Sequence, residues 1–203
     1  MVRSRPKAAP GAPHFLERLF PLLGAIGLVV IAPACQSATP PAPIADELKN
    51  LTYRGIMGMD GPVTLSGGRW EGAPYADGGA SRPSVFLVRQ LLAVGDLDGD
   101  GADEAVALLS YSSGGTGEFM SVAVVARRKG LAENVATAAL GDRVKVRGAR
   151  VEHGTLVLDV LRAGPSDAMC CPLDLATLTY RLEGGTLRRI GERVTGRLPE
   201  EGR

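Results

Sequence analysis

The chain has 203 residues, 45% of them hydrophobic and 22% charged, a balance that excludes a wholly disordered protein. The formal net charge is +1, but Arg3, Arg5, Lys7 and Arg18, against Glu17 alone, sit at the very start. The remainder carries nineteen basic and twenty-one acidic residues, net −2, so no electrostatic footprint for nucleic acid exists and none is expected as a partner.

Aromatic residues are only 4%, which leaves the core to Val, Leu, Ile and Ala. The 27 glycines and 14 prolines point to many turns between short strands rather than to long helices.

Residues 1–18 carry scattered positive charge, and residues 19–31 are almost wholly apolar. That run is too short for a span of roughly 20 residues and fits the hydrophobic region of a secretory signal. Pro21, Gly24 and Gly27 argue against a buried core helix. Ile31-Ala-Pro-Ala-Cys35 resembles a bacterial lipobox, with Cys35 as the acylated first residue of the mature chain, although Ala32 and Pro33 depart from the usual pattern. Ala32-Pro-Ala34 also fits ordinary signal peptidase, which would release a soluble protein. The polar, Pro-rich stretch that follows reads as a tether holding a domain off a membrane, which favours the lipid anchor. The expected organisation is a signal peptide at 1–34, a lipid-anchored tether at 35–45, one β-rich domain at 46–191 and a flexible tail at 192–203.

Within the domain, Asp46 is expected to cap a short helix from Glu47 to about Arg54, stopped by Gly55. Beyond it the period changes to two: Val63 and Leu65 alternate with Thr64 and Ser66, and Gly67-Gly68 turns into Arg69-Trp70-Glu71. Residues 72–83 read as a surface loop. Residues 85–94 and 105–109 are nearly continuous apolar runs, expected to be central strands buried on two faces. The glycine cluster at 112–117 lacks the Gly-Lys-Ser/Thr ending of a phosphate loop and is read as a hairpin turn. Further strands are expected around 118–126, 134–140, 144–147, 156–160, 178–182 and 186–190, with turns at 128–130, 152–154 and 183–185. The fold class that results is mainly β: an antiparallel meander of about eight to ten short strands with one short N-terminal helix, an α+β arrangement being the alternative.

Between the two apolar runs lies Gly95-Asp-Leu-Asp-Gly-Asp-Gly-Ala-Asp-Glu104. Calcium takes six to eight oxygen ligands from carboxylates, carbonyls and water. Asp96, Asp98 and Asp100 supply carboxylates at positions one, three and five, Gly101 permits the sharp turn, Ala102 offers its carbonyl, and Glu104 stands at position nine with Asp103 as alternate. Position twelve is Ala107, so the loop is not an EF-hand. It resembles the Asp-x-Asp-Gly-Asp-Gly loops of FG-GAP/VCBS-type β modules, a resemblance that implies a structural calcium stapling a hairpin. Four or five carboxylates in one turn would otherwise repel one another. A merely solvated acidic turn is the plainer alternative. His153 is the one histidine outside the leader and falls in a turn, where an exposed position is expected.

Cys170 and Cys171 are adjacent. In an exported protein a disulfide is expected, here a vicinal one, strained because adjacent Cα atoms about 3.8 Å apart fall below the usual range of about 4.4–6.8 Å. A reduced pair binding soft metal beside Met169, and intermolecular pairing, remain alternatives. The succession of residues 50–56, Gly79-Ala-Ser-Arg-Pro83, the acidic loop, Gly141-Asp-Arg-Val144 and Met169-Cys-Cys-Pro172 resembles a bacterial envelope protein family of unknown function. Cys-Cys-Pro followed by Tyr180-Arg-Leu182 is more weakly similar to LppP/LprE-type lipoproteins. These resemblances imply an envelope address and no activity. The functional expectation is a non-enzymatic envelope module that binds a protein or glycan. The alternatives are a hydrolase of glycan or peptidoglycan using the loop carboxylates, and thiol-redox or soft-metal sensing.

Overall fold

The structure, a computed structural model, describes residues 41–165, 167–168 and 171–199. The expected signal peptide, Cys35, most of the tether, Cys170 and residues 200–203 lie outside the described residues.

The protein is mainly β and antiparallel, with one short helix. The described residues hold α1 (Ala45–Leu48) and eleven strands: β1 (Thr52–Tyr53), β2 (Val63–Thr64), β3 (Arg69–Glu71), β4 (Ser84–Gly95), β5 (Glu104–Ser112), β6 (Phe119–Arg128), β7 (Leu131–Asp142), β8 (Lys145–Glu152), β9 (Thr155–Arg162), β10 (Asp174–Glu183) and β11 (Thr186–Arg197). Strands β3 to β7 form one five-stranded sheet in chain order, β8 to β11 form a four-stranded sheet in chain order, and β1 pairs with β2. The chain passes from the larger sheet to the smaller at the Asp142–Lys145 connection, where Arg143 takes a φ of 52°.

Strands β5 and β6 have no wet face. Their even-numbered residues, Val106, Leu108, Val122 and Val124, meet Leu156, Leu158, Val160, Leu178 and Tyr180 of the four-stranded sheet. Their odd-numbered residues, Ala105, Ala107, Leu109, Ala123 and Val125, are covered by the N-terminal segment through Leu48, Tyr53, Ile56, Val63 and Leu65. Small side chains at 105, 107 and 123 let that segment come close. At Gly58 (φ 87°) an added Cβ would lie 2.3 Å from the Tyr111 ring, so only glycine fits. The cover is pinned by polar contacts as well: the Tyr53 hydroxyl donates to Leu48 O (2.9 Å), Met57 N–H to Ser121 Oγ (3.1 Å) and Arg54 N–H to Asn134 Oδ1 (2.9 Å).

Three expectations are corrected. The helix is one turn, Ala45–Leu48, rather than Glu47 to Arg54, because Thr52-Tyr53 leaves to pair with Val63-Thr64. Asp46 does not cap it but lies inside, paired with Lys49 (2.8 Å); Glu47 reaches back to Ile44 N–H (2.9 Å) instead. Strand β4 is not buried on both faces: Val88, Leu91 and Val94 are exposed, since register shifts between Leu87, Arg89 and Ala93 break its two-residue period. Finally, residues 192–197 are no frayed tail. They continue β11 against β10, with Glu192 paired to Arg162 (2.5 Å) and Arg189 (2.9 Å), and Arg197 paired to Asp167 and Asp174.

Because Ile56 is only 2% exposed within the N-terminal cover, Ile56→Ala is expected to cost about 2–5 kcal/mol. Leu91→Ala, at an exposed position of β4, should cost well under about 1 kcal/mol. Urea unfolding of both variants checks this, and a wild-type midpoint for Ile56→Ala would mean that the N-terminal segment is not part of the core.

Candidate metal centre

The acidic loop joins β4 to β5, and its shape follows from short carboxylates bonding the backbone just ahead of them. Asp96 Oδ1 accepts from Gly99 N–H (2.7 Å) and its Oδ2 from Gly101 N–H (3.1 Å). Asp98 Oδ1 accepts from Asp100 N–H (3.2 Å), and Asp100 Oδ1 from Ala102 N–H (2.8 Å). Gly99 and Gly101 sit at φ 81° and 86° with open space around a notional Cβ, so glycine is required there for backbone angle alone.

Two side chains root the loop in the core. Leu97, its one large apolar residue, is buried at 2% exposure. Glu104 is buried at 1% exposure and accepts Leu97 N–H on Oε2 (2.8 Å), the sole donor to this carboxylate among the described residues. Burial raises the Glu104 carboxyl above its usual range, Leu97 N–H opposes that, and the charges of Asp98, Asp100 and Asp96 push it further up. One oxygen from each of Asp96, Asp98 and Glu104 lies within 4.8 Å of the others. This is a set of hard oxygen donors, the kind suited to calcium or magnesium rather than to a soft ion.

The remaining expected ligands fall elsewhere. The Asp100 carboxylate is divided between Ala102 N–H and Arg128; the Ala102 N–H, chiefly, holds it below the usual carboxylate range, with desolvation opposing and Arg128 adding to the lowering. Asp103 is exposed and outside the cluster, so Glu104, not its neighbour, faces Asp96 and Asp98. Ala102 contributes its N–H to the loop. His153 is exposed in the β8–β9 turn with φ 50° and makes no hydrogen bond or ion pair among the described residues.

Sequence reasoning missed Arg128. Its guanidinium spans Asp98 Oδ2 (2.7 Å) and Asp100 Oδ2 (3.0 Å), so part of the loop's charge is matched by protein. The signal was geometric: β6 runs antiparallel to β5 with Val125 opposite Ala105, which carries a residue three places further on back to the loop.

Cys171 is disulfide-bonded, and the chain's other two cysteines, Cys35 and Cys170, lie outside the described residues. An oxidised Cys171 offers no thiolate for a soft metal. The loop before it is gathered by Asp167, whose Oδ2 accepts from Gly164 N–H (2.8 Å) and Leu173 N–H (3.0 Å) and whose Oδ1 accepts from Arg197 Nη2.

Scans against protein-family models, curated proteins and solved structures each return no match.

The Gly164 N–H first, then Arg197, hold the Asp167 carboxyl below its usual 3.8. A depressed folded value stabilises the protein above the unfolded value, and that contribution is lost as the pH falls through the folded one. Thermal melts taken from about pH 6 to about pH 2 should therefore show wild type more stable than Asp167→Asn at the upper end, with the gap closing below pH 3.8. A gap independent of pH would contradict the assignment.

Proposed function

We propose that the chain is an exported, lipid-anchored cell-envelope module without enzymatic activity, in which a calcium ion at Asp96, Asp98 and Glu104 locks the β4–β5 hairpin. The observation that carries the calcium reading is the buried Glu104 carboxylate. A carboxylate 1% exposed, with one N–H donor and two acidic neighbours, is costly to keep charged unless a cation completes its surroundings. The loop spacing also offers Asp100 and the Ala102 carbonyl. Both Asp100 oxygens are engaged, by Ala102 N–H and Arg128, so either oxygen would join the ion only by giving up its bond, and water fills the rest of the shell. Arg128 neutralises Asp98 and Asp100 but makes no bond to Glu104, so it does not remove that cost.

The envelope address is supported by the leader and Cys35. The same module is proposed to present its surface to an envelope protein or glycan.

Calcium at about 100 times its dissociation constant should stabilise the protein by about 2.7 kcal/mol, a rise in Tm of roughly 5–10 °C for a domain of this size. Glu104→Gln separates the ion from the fold. In chelator the variant should melt at or above wild type, because it removes a buried charge, and calcium should no longer raise its Tm. Superimposable wild-type melts with calcium and with chelator would end the calcium reading. Cys35→Ser tests the anchor independently: the wild-type chain should fractionate with membranes and carry acyl mass on Cys35, and the variant should be soluble. Equal partition of the two would remove the anchor.

A further inference from the structure

At the edge where β4 of the larger sheet runs beside β8 of the smaller, the structure holds a cavity of about 360 Å³. Val88, Leu108, Met120, Val144 and Val146 supply apolar parts of its wall, and charged side chains supply much of the rest. Val88 and Arg89, adjacent in sequence, both line it, which a regular strand would forbid; the register shift between Leu87 and Arg89 turns them to the same side. Val144, at the connection into β8, and Lys145 and Val146 at the start of β8 line the other side.

The charges are the informative part. Most described arginines are tied up: Arg69, Arg82, Arg127, Arg128, Arg150 and Arg162 all have carboxylate partners. The side chains of Arg89 and Lys145 make no hydrogen bond or ion pair among the described residues, and both are exposed on this cavity. Arg143 also lines it, but its guanidinium is committed to Asp142 (2.6 Å) and Thr116 O (2.6 Å) and so fixes the rim. Glu118 is the only acid in the lining. Two uncommitted cations over an apolar wall form an amphipathic receptor with net positive charge.

We infer that this cavity binds a small amphipathic anion, a carboxylate or phosphate head on an apolar body. The volume falls within the range of small-molecule sites, and an apolar pocket with few convergent polar groups is their common form. The planar Arg89 fork suits either head group in two-point contact, and Lys145 adds a point charge. The apolar body lies on Val88 and Val146, the more exposed apolar residues of the lining, with the largely buried Leu108 and Met120 behind them, and displaces water from Val88.

The test uses four probes that share one chain: octanoate, octyl phosphate, octanol and octyltrimethylammonium. Titration calorimetry on the full chain, with methyl NMR reporting Val88 and Met120, reads affinity and place together. At least one anion should bind saturably with shifts at those methyls, with octanol about tenfold weaker or more and the ammonium weaker still. Preference between octanoate and octyl phosphate then separates a fatty-acid source from a lipid-phosphate one. Lys145→Gln and Arg89→Gln should each weaken the anion about tenfold, and Glu118→Gln should tighten it about twofold. Lys145 is exposed, so its variant serves if Arg89→Gln disturbs β4. Equal binding of all four probes, unchanged affinity in Lys145→Gln, or no saturable binding of either anion would overturn the inference. The lining contains none of Asp96, Asp98 and Glu104, so the calcium reading can fail while this one stands, and the reverse.

Discussion

A strand with apolar residues on both sides has no face to give to water, and this protein is built around two of them. Strands β5 and β6 bury Val106, Leu108, Val122 and Val124 on one side and Ala105, Ala107, Leu109, Ala123 and Val125 on the other. One covering layer can be a second sheet, and β8 to β11 supply it. The other must come from elsewhere, and the residues between Leu48 and Leu65, too irregular to make a sheet of any size, are recruited as a lid. Three layers follow from one pair of strands.

The acidic loop inherits its position from the same pair. Glu104 is the first residue of β5, so the strand that must be buried takes a carboxylate in with it, and Leu97 folds back from the loop to cover that group. Gly95, at the other root of the loop, approaches the second sheet so closely that a Cβ there would lie 2.7 Å from Val151. The loop is thus wedged between layers at both ends while its tip, from Asp98 to Gly101, stays in water.

Much of this was legible in one dimension. The alternation of Leu156, Leu158 and Val160, the unbroken run at 105–109 and the Gly-rich turns locate most strands because burial on one face or two leaves a direct trace in residue type. The acidic loop was legible because its spacing is set by backbone geometry within ten residues. What failed was long-range or irregular. The bulges in β4 scramble its period, so an apolar run that reads as buried exposes Val88, Leu91 and Val94. Strand β11 runs on through Glu192 and Arg193, which read as the start of a flexible tail; with Arg188 and Arg189 they are the charged surface of an edge strand, where such residues also discourage pairing with another chain. Arg128 reaches the loop from thirty residues away, and nothing local to either segment announces it.

Adjacent arginines on β6 point to different clients. Arg128 holds the loop, while Arg127 donates to Pro41 O (2.9 Å) and to Glu47 Oε1 (3.0 Å) and Oε2 (2.6 Å) at the start of the described chain. A force applied ahead of Pro41 therefore does not fall first on the hydrophobic lid. It meets a forked ionic clasp on β6, a strand paired on both sides. Mechanically, the domain is gripped near its middle layer rather than by its outer skin.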